Sequence, residues 1–142
     1  MTTPAARSRT RQFLLQALYQ AQLTETEIGG IADSFMAEHN MKRADLVYFR
    51  EILRGIQLEL DALIELISPR LDRNYAEIDP IEKAILLLGT HELKSRIDIP
   101  YKVVINEAVE LAKSFGATES YKYVNSVLDA LASELRQIET SR

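Results

Sequence analysis

The chain contains no cysteine, which excludes a disulfide framework, a thiolate nucleophile and any cysteine-ligated metal or cluster. No stretch approaches the roughly 18 consecutive apolar residues of a membrane-spanning helix, and the N-terminus lacks the apolar core of a secretory signal. A reducing, cytoplasmic setting without a membrane partner is the expectation. Glycine and proline number only 5 and 4 in 142 residues and nowhere gather into a linker. Internal repeats, low-complexity tracts and runs of alternating strand character are missing too. So are a glycine-rich phosphate loop, a nucleophile elbow and a dinucleotide fingerprint. His91-Glu92 begins a zinc-protease helix motif, but Ser95 stands where the second histidine belongs, and His39 lies far away. Glu107 and Glu110 share a helix face, yet nothing implies the pocket that would shift their pKa values into acid–base use. The expectation is therefore a protein with no metal, no cofactor and no enzymatic activity.

What remains is helical periodicity. Apolar residues make up 46% and charged residues 27% of the chain, an ordinary balance for a globular domain with a sizeable core. A single domain over residues 1–142, all-α with six to seven helices, is expected. A first helix should begin near Arg7, after a loose Met1–Ala6 leader, with Phe13, Leu14, Ala17, Leu18 and Ala21 inward. Thr24 and Glu27 have the spacing of a capping box for a second helix. The longest periodic run, Ala44 to Ser68, places Val47, Phe49, Ile52, Leu53, Ile56, Leu60, Leu63, Ile64 and Ile67 on one side and ends at Pro69. Asp79-Pro80 reads as a cap followed by a first-turn proline. Pro100 likewise reads as the first residue of a helix with Val103, Val104, Ala108, Leu111 and Ala112 inward. Gly116 then predicts a left-handed stop, and Thr118 a cap for a last long helix lined by Val124, Val127, Leu128, Leu131 and Leu135.

The charge is unevenly placed. Residues 1–24 hold Arg7, Arg9 and Arg11 and no acid, a balance of +3 in a chain whose net charge is −4. Arg7 and Arg11 share a face at a helix start, where cations oppose the helix dipole. Such placement points to an anionic partner, with a solvated or frayed leader as the competing explanation. A second cluster, Lys113, Ser114, Phe115, Lys122 and Tyr123, sets cations and aromatics around the corner between the last two long helices. Single-stranded RNA is bound by cations on phosphates and aromatic faces under bases. Partial core packing is the alternative for Phe115 and Tyr123.

The segments PYKVVINEAVELAKSFG and YKYVNSVLD resemble the signature region of the NusB transcription antitermination family. PAARSRTRQFLLQALYQ is similar to that family's basic opening helix, and DLVYFREILRGI and IEKAILLLGTHEL fit its middle. The resemblance implies a compact all-α bundle, two small helical bundles sharing a core. It implies binding of the boxA element of nascent ribosomal RNA as a single strand, together with NusE, a small-subunit ribosomal protein. It also implies a place beside NusA, NusG and RNA polymerase in an antitermination complex. Carried over position by position, Arg7, Arg9 and Arg11 would meet phosphates. Tyr19 would reach the RNA by stacking or through its hydroxyl, and Glu82 would accept hydrogen bonds from a base edge. Glu119, Lys122 and Tyr123 would complete the surface. Ser8 interrupts an often unbroken arginine run, and Tyr123 stands where phenylalanine is common. A structural helical adaptor, a DNA-binding helical module and the related domain that precedes some RNA methyltransferases are the alternatives. Monomer and homodimer stay equally open.

Overall fold

The protein is described from a computed structural model covering residues 3–141. Among them are seven α-helices and no strand, as the periodicity predicts. They fall into two compact units, Met1–Leu58 and Glu59–Arg142.

In the first unit, α1 (Pro4–Thr24) starts three residues earlier than expected. The Thr3 hydroxyl accepts the Ala6 N–H at 3.0 Å, and Pro4 needs no donor in the first turn. The expected loose leader is thus helical from Pro4, while Met1 and Thr2 lie outside the described residues. Leu14, Leu15, Ala17, Leu18 and Ala21 are buried, and Phe13 is half-buried. Thr24 caps nothing: its hydroxyl donates to the Gln20 carbonyl at 2.8 Å. The helix ends instead at Glu25, in the left-handed region with φ 53°. A short 3-10 turn (Ile28–Gly30) then leads into α2 (Ile31–Glu38). Phe35 of α2 is the hub of this unit, with Phe13 edge-on at 6.2 Å, Phe49 stacked at 5.6 Å and His39 stacked at 3.8 Å.

Helix α3 (Leu46–Ile67) opens on Asp45, whose carboxylate accepts the Tyr48 N–H at 3.0 Å. Val47, assigned to the buried stripe, is 67% exposed, and its neighbour Tyr48 is buried in its place.

The second unit is built around α4 (Pro80–Ser95), buried at every residue from Ala84 to Leu93 and packed by α5 (Tyr101–Phe115) and α6 (Ser120–Leu135). A helix buried on all sides lies at the centre of its bundle. Gly89 makes the approach possible: a Cβ there would lie 2.8 Å from Leu128 Cδ1. Val103 faces solvent and Ile105 packs inward, so the α5 stripe is rotated from the expected one. Pro100 is the residue before α5, not its first.

Two buried polar groups fasten this unit. Arg136 is 4% exposed and donates to the carbonyls of Glu92, Leu93, Arg96 and Ile99, closing the C-terminal end of α4. It also pairs with Glu139 at α7 (Gln137–Thr140), tying that short helix to the unit. Buried His91 places Nδ1 2.7 Å from Glu59 Oε1. Glu59 also takes Lys94 and the Ser95 hydroxyl.

Candidate nucleic-acid interface

Three arginines were expected to face an anion. Arg9 is exposed and has no partner among the described residues. Arg7 is half-buried, its guanidinium carbon 4.3 Å from the ring centre of Tyr48. Arg11 is 2% exposed and lies 5.8 Å from the same ring. A cation within about 6 Å of a ring face is attracted by its quadrupole. Tyr48 thus answers, inside the fold, much of the puzzle of cations at a helix start. Arg11 is thus buried against Tyr48, Arg7 is partly covered by it, and Arg9 is exposed. Thr10, between them, is held by donating to the Ala6 carbonyl at 2.7 Å and accepting the Asp45 N–H at 2.8 Å. Tyr19 is half-exposed on α1, ten residues and about 15 Å of helix beyond Arg9.

The remaining four predicted residues belong to the second unit, three of them within residues 119–123 and the fourth, Glu82, bonded to Ser120. Gly116 does not adopt the left-handed conformation expected of it; its φ is −88°. It is glycine for space, because a Cβ would sit 2.8 Å from the Ala112 carbonyl oxygen and 3.0 Å from Ser120 Oγ. That tight corner brings the buried Ser120 within reach of α4, where its hydroxyl donates to Glu82 Oε2 at 2.7 Å. The cap of α6 is Glu119, not Thr118, and Glu119 has φ 71° with no side-chain cap bond. Left-handed backbone at a non-glycine residue costs energy and often marks a functional turn. Here it leaves the Glu119 carboxylate beside Lys122 Nζ, at 2.8 Å on the exposed surface.

Tyr123 is half-buried. Its hydroxyl donates to Asp72 Oδ1 at 3.0 Å and accepts the Asp72 N–H at 3.3 Å. Arg73 grips the same carboxylate through Nε at 2.8 Å and a terminal nitrogen at 3.1 Å. Its guanidinium carbon lies 5.7 Å from the Tyr123 ring centre. The Arg73 hydrogen bond, then that of Tyr123, holds the Asp72 carboxyl below its ordinary range, and burial pushes the Tyr123 phenol up. Sequence reasoning missed Asp72 and Arg73 because they lie in the irregular segment between α3 and α4; an adjacent acid–base pair there was the one available signal.

Lys113 sits 5.1 Å from the Tyr121 ring and 3.8 Å from Glu110 Oε1. With Asn106, Val109, Lys122 and Asn125, Lys113 and Tyr121 line an open groove of about 320 Å³ between α5 and α6. Phe115 is 37% exposed, so core packing does not account for all of it. The described residues include no group of three or more His, Asp or Glu placed to hold a metal ion, and no helix among them is long and apolar enough to cross a membrane.

Residues 8–133 match the model of the NusB family. The chain is 50% identical over 134 residues to a transcription antitermination protein NusB of Marinobacter nauticus, covering 94% of this chain and 85% of that one. It is 49% identical over 140 residues to the protein of the same name from Alcanivorax borkumensis, covering 99% and 93%. A solved structure of T. maritima NusB superposes with a TM-score of 0.82 at 32% identity, covering 94% of each chain.

Proposed function

We propose that this chain, which belongs to the NusB family and serves in transcription antitermination, does so by binding the boxA element of nascent ribosomal RNA as a single strand, together with NusE. The observation that carries the reading is the start of α6 in the second unit. Ser120 bonds Glu82, Glu119 pairs with Lys122 and Tyr123 bonds Asp72 there, so residues 119–123 and their partners offer an aromatic ring, a cation and acceptors. That set matches what a single strand offers: a phosphate for Lys122, a base face for Tyr123, and exocyclic amino groups for Glu82. In the first unit Arg9 supplies a phosphate contact and Tyr19 a second aromatic. Arg7 adds charge near Arg9, while Arg11 holds Tyr48. NusE binds alongside, and the pair enters the complex with NusA, NusG and RNA polymerase in the cytoplasm.

A titration of a labelled boxA-like single strand, with and without NusE, tests this. The chain alone binds modestly and NusE tightens binding. By linkage, RNA raises affinity for NusE by the same factor. Equal RNA affinity in the presence and absence of NusE would remove the cooperative mechanism. A matched strand of scrambled sequence bound equally well would remove boxA recognition.

A further inference from the structure

The Asp72-Arg73 pair lies against the predicted RNA-stacking residue and has no assigned task. We propose that Arg73 is an RNA-contacting residue that covers Tyr123 in the free protein and exchanges that ring for a backbone phosphate when a base stacks on Tyr123. The inference rests on the RNA reading above and adds a residue and a sequence of contacts to it.

The geometry is that of a replaceable cover. Arg73 lies over the Tyr123 ring at 5.7 Å, on a face that a base would need. Its side chain is still 49% exposed, so it can swing away without breaking any core contact. Asp72 holds both members, taking two guanidinium N–H groups and the Tyr123 hydroxyl. The phenol oxygen is thereby held by Asp72 while the exposed Arg73 guanidinium lies over the ring. Glu82 also acts electrostatically on Arg73, so the guanidinium lies within the field of two of the four predicted residues in this unit.

Three physical points favour exchange over simple blocking. An exposed cation–π contact is weaker than base stacking on an aromatic ring, so a base displaces the guanidinium. An exposed ion pair is a weak tether. The released guanidinium is planar and forked, suited to bidentate contact with the phosphate of the nucleotide that displaced it. Exchange therefore returns the charge to use rather than discarding it.

The test is fluorescence anisotropy of the boxA-like strand over a salt series, with Arg73→Ala, Arg73→Lys and Asp72→Asn. Arg73→Ala is expected to weaken binding about 3- to 10-fold and to lower the slope of log K against log salt by about 0.7, one phosphate contact on a single strand. Arg73→Lys keeps the slope and loses part of the affinity. Asp72→Asn frees Arg73 and tightens binding a few-fold. Thermal melting of each variant should match wild type, since both side chains are exposed. Unchanged slope for Arg73→Ala, whatever its affinity, overturns the phosphate contact. Tighter binding by Arg73→Ala makes Arg73 a mere obstacle and overturns it equally. Arg9→Ala in the same assay monitors the underlying reading. Weakened binding there with an unmoved Arg73→Ala sinks only this inference, whereas a wild-type chain that binds no strand removes both.

Discussion

Removing Arg136 should damage the second unit more than removing any surface charge. The side chain is buried and spans four carbonyls, from Glu92 and Leu93 in the last turns of α4 to Arg96 and Ile99 beyond it. Two of those acceptors keep a backbone donor without it: Arg96 N–H serves Glu92, and Ile99 N–H serves Arg96, each at 3.0 Å. The carbonyls of Leu93 and Ile99 lose the guanidinium that reaches them at 2.7 and 2.9 Å. A buried acceptor left unmet costs about 1–3 kcal/mol, so two of them put the loss for Arg136→Ala at about 2–6 kcal/mol. The chain has no tryptophan, so urea unfolding is best followed by helical circular dichroism. With m near 1–3 kcal/mol per molar urea, the midpoint falls by roughly 1 M or more. Arg136→Lys retains the charge, but a point-like ammonium cannot reach acceptors on both sides of the helix end. More than half of the loss should persist. A loss below about 1 kcal/mol for Arg136→Ala would refute the claim that this side chain closes α4.

Acid should weaken the fold in two stages. Burial pushes the His91 imidazole below its ordinary value despite Glu59, so the unfolded chain takes up that proton first. Stability then falls as pH drops below about 6.5 and levels off beneath the folded value. Burial raises the Glu59 carboxyl, but Lys94, Ser95 and His91 outweigh it and hold the group below 4.5; its contribution is present above 4.5 and is lost as pH falls further. Melting temperature from pH 7 to 4 checks this, and His91→Gln should flatten the upper part of the decline; an unchanged slope there would contradict the assignment. Arg9 and Arg11 should separate cleanly. Arg9→Ala lowers the RNA salt slope by about 0.7 and leaves melting unchanged, whereas Arg11→Ala lowers stability by about 1–3 kcal/mol through lost burial and its ring contact; reversed effects would return Arg11 to the RNA face.

The helices were legible because α3, α5 and α6 carry long apolar stripes, and period 3.6 survives local noise. What failed were single positions decided by tertiary space. Thr24 has the right spacing for a cap, but α1 continues through it and its hydroxyl turns back to Gln20. Gly116 was read as a backbone device and is a matter of room, as is Gly89 against Leu128. Val47 and Tyr48 differ by one residue, or about 100° of helix, and no composition rule chooses between them. The site divides the same way. Lys122 and Tyr123 stood out as charge and aromatics, but the burial of Arg11 depends on Tyr48, 37 positions along the chain. Nothing in the sequence marks Arg136, because its acceptors are carbonyls, which every sequence has.

Under the RNA-binding proposal, selection of one RNA by an acidic chain would follow from the candidate surface of the second unit. Each of its carboxylates already holds a donor: Glu82 takes Ser120, Glu119 takes Lys122, and Asp72 takes Arg73 and Tyr123. On the RNA-binding proposal, a phosphate must compete with Glu119 for Lys122, and a base must compete with Arg73 for Tyr123. A strand that offers only phosphates gains little, since it replaces one anion by another while meeting repulsion from the carboxylates. Glu119→Gln removes that competition and should tighten binding a few-fold for all sequences, because phosphate contacts do not specify. A strand that also presents a stacking base to Tyr123 and amino groups to Glu82 gains contacts stronger than the exposed cation–π contact it displaces. Low net attraction is then a source of discrimination, and it makes a second protein that adds contacts of its own a requirement for tight binding.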